Sequence, residues 1–172
     1  MRLTHEDLVA VFGEANVVRR DPTELDGLGL SNAARHALTE VGLPGVIGEG
    51  AFRSVRPRIL ESQASGRRYC LVGMSPTRHY AVDLPSEEVF NLAAWDIDDG
   101  PSFLNSNVPA FVHCLAEYGR VQNQLTTDRS EDVSAMWAKR LRERLAAIDP
   151  RCLTELNAYF ASIVDDIELG II

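Results

Sequence analysis

Residues His113 and Cys114 are adjacent in the stretch "FVHCL", and thiol-dependent enzymes use these residue types as base and nucleophile. The apolar spacing of Val108, Phe111 and Leu115 predicts a helix here. Adjacent helical residues point about 100° apart, so the imidazole and the thiol do not face each other. Cys114 falls on the apolar face of this helix and His113 on its flank. The pair is therefore interpreted as part of the fold and not as a nucleophilic site.

A second possible acid–base pair is His79 and Asp83 in the stretch "HYAVD". Residues four apart on a strand lie on the same face, so the two side chains could cooperate in proton transfer. No third partner is evident in the sequence. We interpret the pair as exposed polar residues on a half-buried strand, and the alternative interpretation is an enzyme that uses this pair.

The acidic stretch "DIDDG" (96–100) resembles the start of a calcium-binding loop. An EF-hand loop needs glycine at position 6 and glutamate at position 12. Counted from Asp96, Gly100 is fifth and Asn107 is twelfth, so the spacing does not fit. We interpret the stretch as a solvated acidic turn.

The glycine-rich stretch "GVIGEGAF" (45–52) does not fit a phosphate-binding loop, because strands follow it and no lysine precedes Lys139. It is interpreted as a flexible connection. The three cysteines, Cys70, Cys114 and Cys152, contain no Cys-x-x-Cys pair and indicate neither a zinc site nor a disulfide framework. No catalytic residue, metal or cofactor is predicted.

The formal net charge of −8 is distributed unevenly along the chain. Residues 80–118 contain seven acids and no lysine or arginine, whereas residues 50–78 contain six arginines and one glutamate. This balance argues against binding of the whole chain to a nucleic-acid backbone, since such binding needs clustered cations. Three further acids, Asp165, Asp166 and Glu168, end the chain's last predicted helix, where they oppose the helix dipole. They are either solubilising charge or part of a binding surface.

Helical patterns occupy both ends of the chain. Thr4 caps a predicted helix that ends at Phe12, and Ser31 caps a second one that is closed by Gly42. After residue 104, three more helices are predicted: one from about Val108 to Gly119, one over 131–148, and a last one that begins at Asp149 and Pro150. The apolar positions of the last helix are Leu153, Leu156, Phe160, Ile163 and Ile167.

Between residues 43 and 104 the helical spacing disappears, and short apolar runs alternate with turn residues. The stretches 68–74, 79–84 and 88–95 are predicted strands, and 52–60 is a weaker strand that Pro57 restricts to a sheet edge. Short connections between strands predict an antiparallel meander. The fold class is therefore α+β: a central antiparallel sheet flanked by N-terminal helices and a C-terminal helical bundle.

Length and composition predict one domain over residues 1–172. No apolar run approaches the roughly 20 residues that span a bilayer, and the N-terminal stretch "MRLTHEDLVAVFGE" lacks a signal-peptide core. We expect a cytoplasmic protein without a membrane partner.

Several stretches, in this order, resemble the SUKH superfamily of bacterial immunity proteins, and most closely its fourth subgroup. They are "VGLPGV" (41–46), "RYCLVG" (68–73), "HYAVDL" (79–84), "FLNSNVPAFVHCL" (103–115) and "DPRCLTELNAYFASIVDDIELGII" (149–172). The resemblance spans roughly residues 40–172. The chain has Asn107 where the family pattern usually runs Asn-Ser-Ser. Residues 105–107 offer caps for the helix that follows, and Asn105 and Ser106 are expected to cap the junction between strand and helix.

The resemblance implies a protein that binds and neutralises a cognate polymorphic toxin, of the nuclease or deaminase class. Such toxins tend to carry basic clefts, to which an acidic surface is steered. The predicted partner-binding residues are Asp83, Glu87, Glu88, Asp96, Asp98, Asp99, Asp165, Asp166 and Glu168. The alternative is a SUKH-like interaction or regulatory module without a toxin partner. The oligomeric state is left open.

Overall fold

A six-stranded antiparallel sheet with helices before and after it forms the centre of the protein, as predicted. The structure is a computed structural model, and it describes residues 2–48, 50–126 and 130–171. The α+β class, the meander and the C-terminal helices are confirmed.

The strands of the sheet follow one another in chain order, each antiparallel to the next. They are β3 (Val46–Ile47), β4 (Phe52–Glu61), β5 (Arg68–Met74), β6 (Arg78–Asp83), β7 (Val89–Ala93) and β8 (Ser102–Asn105), while β1 (Val17–Val18) and β2 (Leu43–Pro44) form a separate pair. Pro57 lies within a shift of register between Ser54 and Arg58 on β4. Since β4 pairs with β3 only at Phe52 and Arg53, Pro57 lies in an outer strand segment, where a residue without an N–H is tolerated.

The helices are α1 (His5–Phe12), α2 (Asn32–His36), α3 (Val108–Leu125), α4 (Glu131–Ile148), α5 (Arg151–Thr154) and α6 (Tyr159–Glu168). Two 3₁₀ turns, Glu14–Asn16 and Pro22–Leu25, lie between α1 and α2, and a π-helical turn, Ala37–Val41, continues α2. The N-terminal prediction is confirmed, because Thr4 accepts a hydrogen bond from the Asp7 N–H and the Asp7 side chain accepts one from the Thr4 N–H.

Helix α3 does not end at Gly119, as the sequence suggested, but continues to Leu125. The reason for the glycine is packing. A Cβ atom at residue 119 would lie 2.3 Å from the Phe12 ring, so only glycine allows α1 to approach α3 this closely. A glycine in a helical pattern is ambiguous in sequence, because close packing and helix termination both favour it.

The last predicted helix is divided in two. Asn157 adopts a positive φ of 59° between α5 and α6, a conformation that no helix continues through. Leu156, expected on the apolar face, is 87% exposed. The prediction of one continuous helix from Asp149 was therefore wrong at this point, while Phe160, Ile163 and Ile167 are buried as expected.

The sheet has one heavily covered face and one lightly covered face. Phe52, Tyr80 and Val82 project into a large core that includes residues of α1, α2, α3, α4, α5 and α6. Side chains alternate along a strand, so the residues between them project to the other face. There, Tyr69, Ala81 and Leu92 form a small second cluster.

Among the described residues, no helix is both long enough and apolar enough to cross a membrane.

Candidate partner-binding surface

The thiol of Cys114 is enclosed and protonated. Its side chain is fully buried and accepts a hydrogen bond from Asn105 Nδ2 at 3.3 Å. A hydrogen bond with Cys152, together with burial, raises the pKa of the Cys114 thiol well above its ordinary value. His113 instead places its Nε2 3.9 Å from the carboxylate of Glu117. The arrangement is not that of an activated nucleophile, which requires a thiolate beside its base.

Asn105 and Ser106 do not cap α3; they bind Asp149. The carboxylate of Asp149 accepts hydrogen bonds from Asn105 Nδ2 at 3.1 Å, from the Ser106 N–H at 2.6 Å and from Ser106 Oγ at 3.0 Å. The capping role belongs to Asn107, whose side chain accepts a hydrogen bond from the Ala110 N–H at 2.9 Å. The Asn-Ser pair thus ties the end of β8 to the start of α5, a contact between residues more than forty positions apart.

His79 and Asp83 do not form an exposed polar pair. Asp83 is 0% exposed, and its carboxylate binds Arg67 through Nε at 2.8 Å and Nη2 at 3.1 Å. It also accepts a 2.5 Å hydrogen bond from Ser86 Oγ. Burial raises the pKa of Asp83, but the hydrogen bonds from Arg67 and Ser86 outweigh it, so the pKa is lowered overall.

His79 is a partly buried residue with a neutral ring. Burial, assisted by Arg58, lowers the pKa of its imidazole. Its Nδ1 atom is buried and has no hydrogen-bond partner among the described residues. Within the part of the chain that the structure describes, no hydrogen bond or ion pair joins His79 to a carboxylate, and acid–base chemistry here would require such a partner.

The connection between β7 and β8, residues 94–101, folds back across the lightly covered face of the sheet. Ile97 packs against the cluster of Tyr69, Ala81 and Leu92. Beyond it, Asp98 accepts a 2.8 Å hydrogen bond from Ser62, which follows β4 at the other end of the sheet. We call residues 94–101 the acidic loop.

The backbone of the acidic loop is held by short-range hydrogen bonds. The Asp98 N–H donates to Asp96 Oδ1 at 3.0 Å, and the Asp99 N–H donates to the Asp96 carbonyl at 3.1 Å. The side chains of Asp96, Asp98 and Asp99 are all exposed. With Ile97 as an apolar anchor, the loop therefore presents three carboxylates to solvent in a defined conformation.

The acidic loop also exposes the tryptophan Trp95. This side chain is 67% exposed, its Nε1 donates to Asp99 at 3.2 Å, and the guanidinium of Arg78 lies 5.8 Å from its ring centre. Large exposed aromatic side chains held in place by neighbours are typical of the residues that contribute most to protein–protein binding. Sequence analysis assigned Trp95 to the end of a strand and missed its exposure, although its position beside the acids of "WDIDD" is a detectable signal.

Two more of the predicted partner-binding acids, Glu87 and Glu88, lie in the turn between β6 and β7. Glu87 is exposed and has a positive φ of 63°. Glu88 is partly buried and binds Arg151 of α5 at 2.8 Å. Alternate turns of a meander lie at the same end of the sheet, so the β6–β7 turn and Ser62, which follows β4, lie at one end. The acidic loop begins at the opposite end and extends towards this one, where Asp98 binds Ser62.

The acids of α6 lie on the opposite side of the sheet. The buried residues of α6, Phe160 and Ile163 among them, join the large core under the other face. Asp165 and Glu168 both bind Arg142 of α4, at 3.0 Å and 3.1 Å. The structure thus separates the nine predicted partner-binding residues into a sheet-side group, a helix-side group, and the interior residue Asp83.

No group of three or more His, Cys, Asp or Glu side chains is placed to hold a metal ion within residues 2–48, 50–126 and 130–171.

The family model described as "SUKH-4 immunity protein" matches residues 3–162 of the chain. The chain therefore belongs to the SUKH-4 immunity protein family, which implies an immunity function and a cognate toxin as partner. The match begins before α1 and ends at residue 162, within α6. It therefore includes the N-terminal helices, whereas the resemblance seen in the sequence spanned only roughly residues 40–172. Among curated proteins and among solved structures, no match was found.

Proposed function

We propose that this immunity protein neutralises its toxin by binding it through the acidic loop, and that the toxin belongs to the nuclease or deaminase class. The observation that supports this surface most strongly is the exposed Trp95 among the carboxylates of Asp96, Asp98 and Asp99. Glu87 extends the same surface at the end of the sheet.

The two kinds of side chain make different contributions to such an interface. Carboxylates attract a basic surface over a distance of about a Debye length and raise the association rate, an effect that salt weakens. An aromatic side chain that is buried in the interface instead slows dissociation, because its apolar surface is exposed to water when the complex separates. The acidic loop combines both, and a toxin that binds nucleic acid has the basic cleft that complements it.

Neutralisation by this route is stoichiometric occlusion and involves no catalysis by the immunity protein. The proposed binding unit is a single domain comprising residues 1–172, acting in the cytoplasm. The partner's surface is proposed to be basic, and neither a nucleic acid nor a membrane takes part in the complex.

The first test is recovery of the partner from the native host with the tagged full chain, at low and at high salt. A stoichiometric partner with a basic toxin domain is the expected result. Recovery of a non-toxin regulator would overturn the toxin assignment and favour an interaction module.

The second test maps the surface with two matched triple variants. One reverses Asp96, Asp98 and Asp99 to lysine, and the other reverses Asp165, Asp166 and Glu168 to lysine. Both change the net charge equally, but on opposite sides of the sheet. The loop variant is expected to bind the recovered partner at least about 100-fold more weakly and with less salt dependence, while the α6 variant stays within about fivefold. Equal effects of both variants would refute the proposed surface.

A further inference from the structure

A large cavity on the helical side of the molecule is lined by three arginine side chains. The cavity has a volume of about 990 Å³ and lies between the N-terminal residues, α2, α3 and α4. Its charged lining consists of Arg2, Arg120 and Arg144 against one acid, Glu117. Asp7 is also close enough to interact with Arg120, although it does not line the cavity. The lining of the cavity is therefore positively charged, although the net charge of the whole chain is −8.

The carboxylate of Glu117 organises two of the three arginines. Only 7% of its side chain is exposed, and its two oxygens accept hydrogen bonds from different helices: Oε1 from Arg120 of α3, and Oε2 from Arg144 of α4 at 2.6 Å. Each arginine uses Nη1 for this contact. A guanidinium has five N–H donors in a fixed fork, so both arginines are held in place while most of their donors remain available.

The arginines are reachable from solvent and therefore from a ligand. One third of the Arg120 side chain and about half of the Arg144 side chain are exposed, at 33% and 52%. Among the described residues, the free nitrogens of these two side chains bind no other acceptor, and Arg2 binds none at all. Two guanidinium forks fixed around one buried carboxylate are suited to bind an anionic group with several oxygens.

The rest of the lining is largely apolar and close to the arginines. Leu3, Val41, Val112 and Ile148 line the same cavity, together with several alanines. Sites for small molecules are typically concave, largely apolar and about 300–1,000 Å³ in volume, with a few polar groups that fix the orientation of the ligand. This cavity has each of these properties.

We propose that the cavity formed by α2, α3 and α4 binds a small organic anion, whose phosphate or carboxylate group is held by Arg120, Arg144 and Arg2 and whose apolar part lies against Leu3, Val41 and Ile148. The site is distinct from the acidic loop, since it lies on the helical side of the sheet. Its ligand is therefore separate from the toxin, and the two can bind at the same time.

Calorimetric titration of the full chain with 1-naphthyl phosphate tests this proposal, with neutral 1-naphthol and anionic 1-naphthoate as comparisons. An affinity tag belongs at the C-terminus, because Arg2 lines the cavity. A dissociation constant below about 1 mM is expected for naphthyl phosphate, with naphthol at least about tenfold weaker. Naphthoate distinguishes the two anions: tighter binding of naphthoate would identify the ligand as a carboxylate, and weaker binding would identify it as a phosphate.

Two variants, each in the cavity lining, test whether naphthyl phosphate binds there. Arg144→Gln removes a charged donor of the cavity and is expected to weaken binding about five- to tenfold, whereas Arg142→Gln, on the same helix but outside the cavity, stays within about twofold. Ala147→Trp fills the cavity from an exposed position, leaves the Glu117 contacts intact, and should abolish binding. Thermal unfolding of each variant establishes that it is folded.

Three results would overturn the proposal. One is that neither anion shows detectable binding at concentrations up to about 5 mM, because an organised anion site should bind more tightly than that. Another is equal binding of naphthol and naphthyl phosphate, which would reduce the cavity to an apolar patch. The third is unchanged binding in the folded Ala147→Trp protein, which would place the probe elsewhere. Partner recovery with the same variants is expected to be unchanged, so failure of this site and failure of the acidic loop are separable.

Discussion

The interior carboxylates and the carboxylates of the acidic loop have the same chemistry and opposite consequences. Asp83, Glu117 and Asp149 are buried, and each binds a side chain that is at least 16 positions away in the sequence. Asp96 and Asp99 are exposed, and the contacts described for them lie within their own loop. The net charge therefore combines two kinds of carboxylate: interior acids bind groups within the fold, whereas the acids of the loop are exposed and can contact a partner. Stability and partner binding should therefore respond to substitutions in opposite order.

Asp149→Ala is expected to give the largest loss of stability. It removes the acceptor from Asn105 Nδ2, the Ser106 N–H and Ser106 Oγ, and leaves one buried and two partly buried donors without this partner, at a cost of about 3–5 kcal/mol. Urea unfolding measures the shift of the midpoint. Asp149→Asn, which keeps one acceptor oxygen, serves as control and should lose less. A loss below about 1 kcal/mol for the alanine variant would contradict the role assigned to Asp149.

Glu117→Ala should have an intermediate effect, because its two arginine partners can reach water when the carboxylate is removed. We expect a loss of about 2–3 kcal/mol by the same measurement, from a charge-assisted pair of hydrogen bonds and lost packing. Asp165→Ala removes a carboxylate from the exposed Arg142 instead and should cost less than about 1 kcal/mol. Equal losses in the two variants would remove the distinction between interior and surface carboxylates.

Asp83 should make stability depend on pH in the acidic range. Its pKa in the folded state lies below the ordinary value of 3.8, so the stabilisation is complete above that pH. The stabilisation is lost as the pH falls from 3.8 through the lower folded-state pKa. Over this range the unfolded state binds a proton that the folded state does not bind. Unfolding free energies measured from pH 5 to pH 2 should fall less steeply for Asp83→Asn than for the native chain. Parallel curves would show that the Arg67 contact does not control this dependence.

Trp95→Ala is expected to change stability least and binding most. Since 67% of the side chain is exposed, its removal should alter the unfolding free energy by less than about 0.5 kcal/mol. Loss of an anchoring aromatic residue should weaken partner binding by about 2 kcal/mol or more, mostly through faster dissociation. Surface plasmon resonance with the recovered partner measures both rates, and Leu156→Ala, another highly exposed apolar side chain, is the control. Binding that is equally insensitive to both substitutions would exclude Trp95 from the interface.

The local parts of the fold were predictable because their signals are contained in a few neighbouring residues. The capping box of Thr4 and Asp7, the strand at 68–74 and the helix at 131–148 appear where the sequence placed them. Capping and strand alternation depend on contacts within three or four positions. The family resemblance was likewise a property of ordered short stretches, and it is confirmed.

The failures at Asn105, Ser106 and Gly119 share a different cause, since each depends on a partner distant in sequence. Asn105 and Ser106 looked like helix caps, but Asp149 attracts both. Gly119 looked like a helix end, but it makes room for Phe12. The partner-binding role of the acidic residues stays a prediction, while their separation onto two sides of the sheet could only be seen once the strands were paired.

Periodicity, turn chemistry and composition are local or additive properties, so they were sufficient to predict the α+β class, the meander, the family and the concentration of acids between residues 80 and 118. Three features required the folded chain: which acids are interior and which are exposed, how the acidic loop folds back through Ile97 and Asp98, and the cavity that three arginines line. Burial and charge pairing arise between elements, and a linear pattern does not specify which elements will meet.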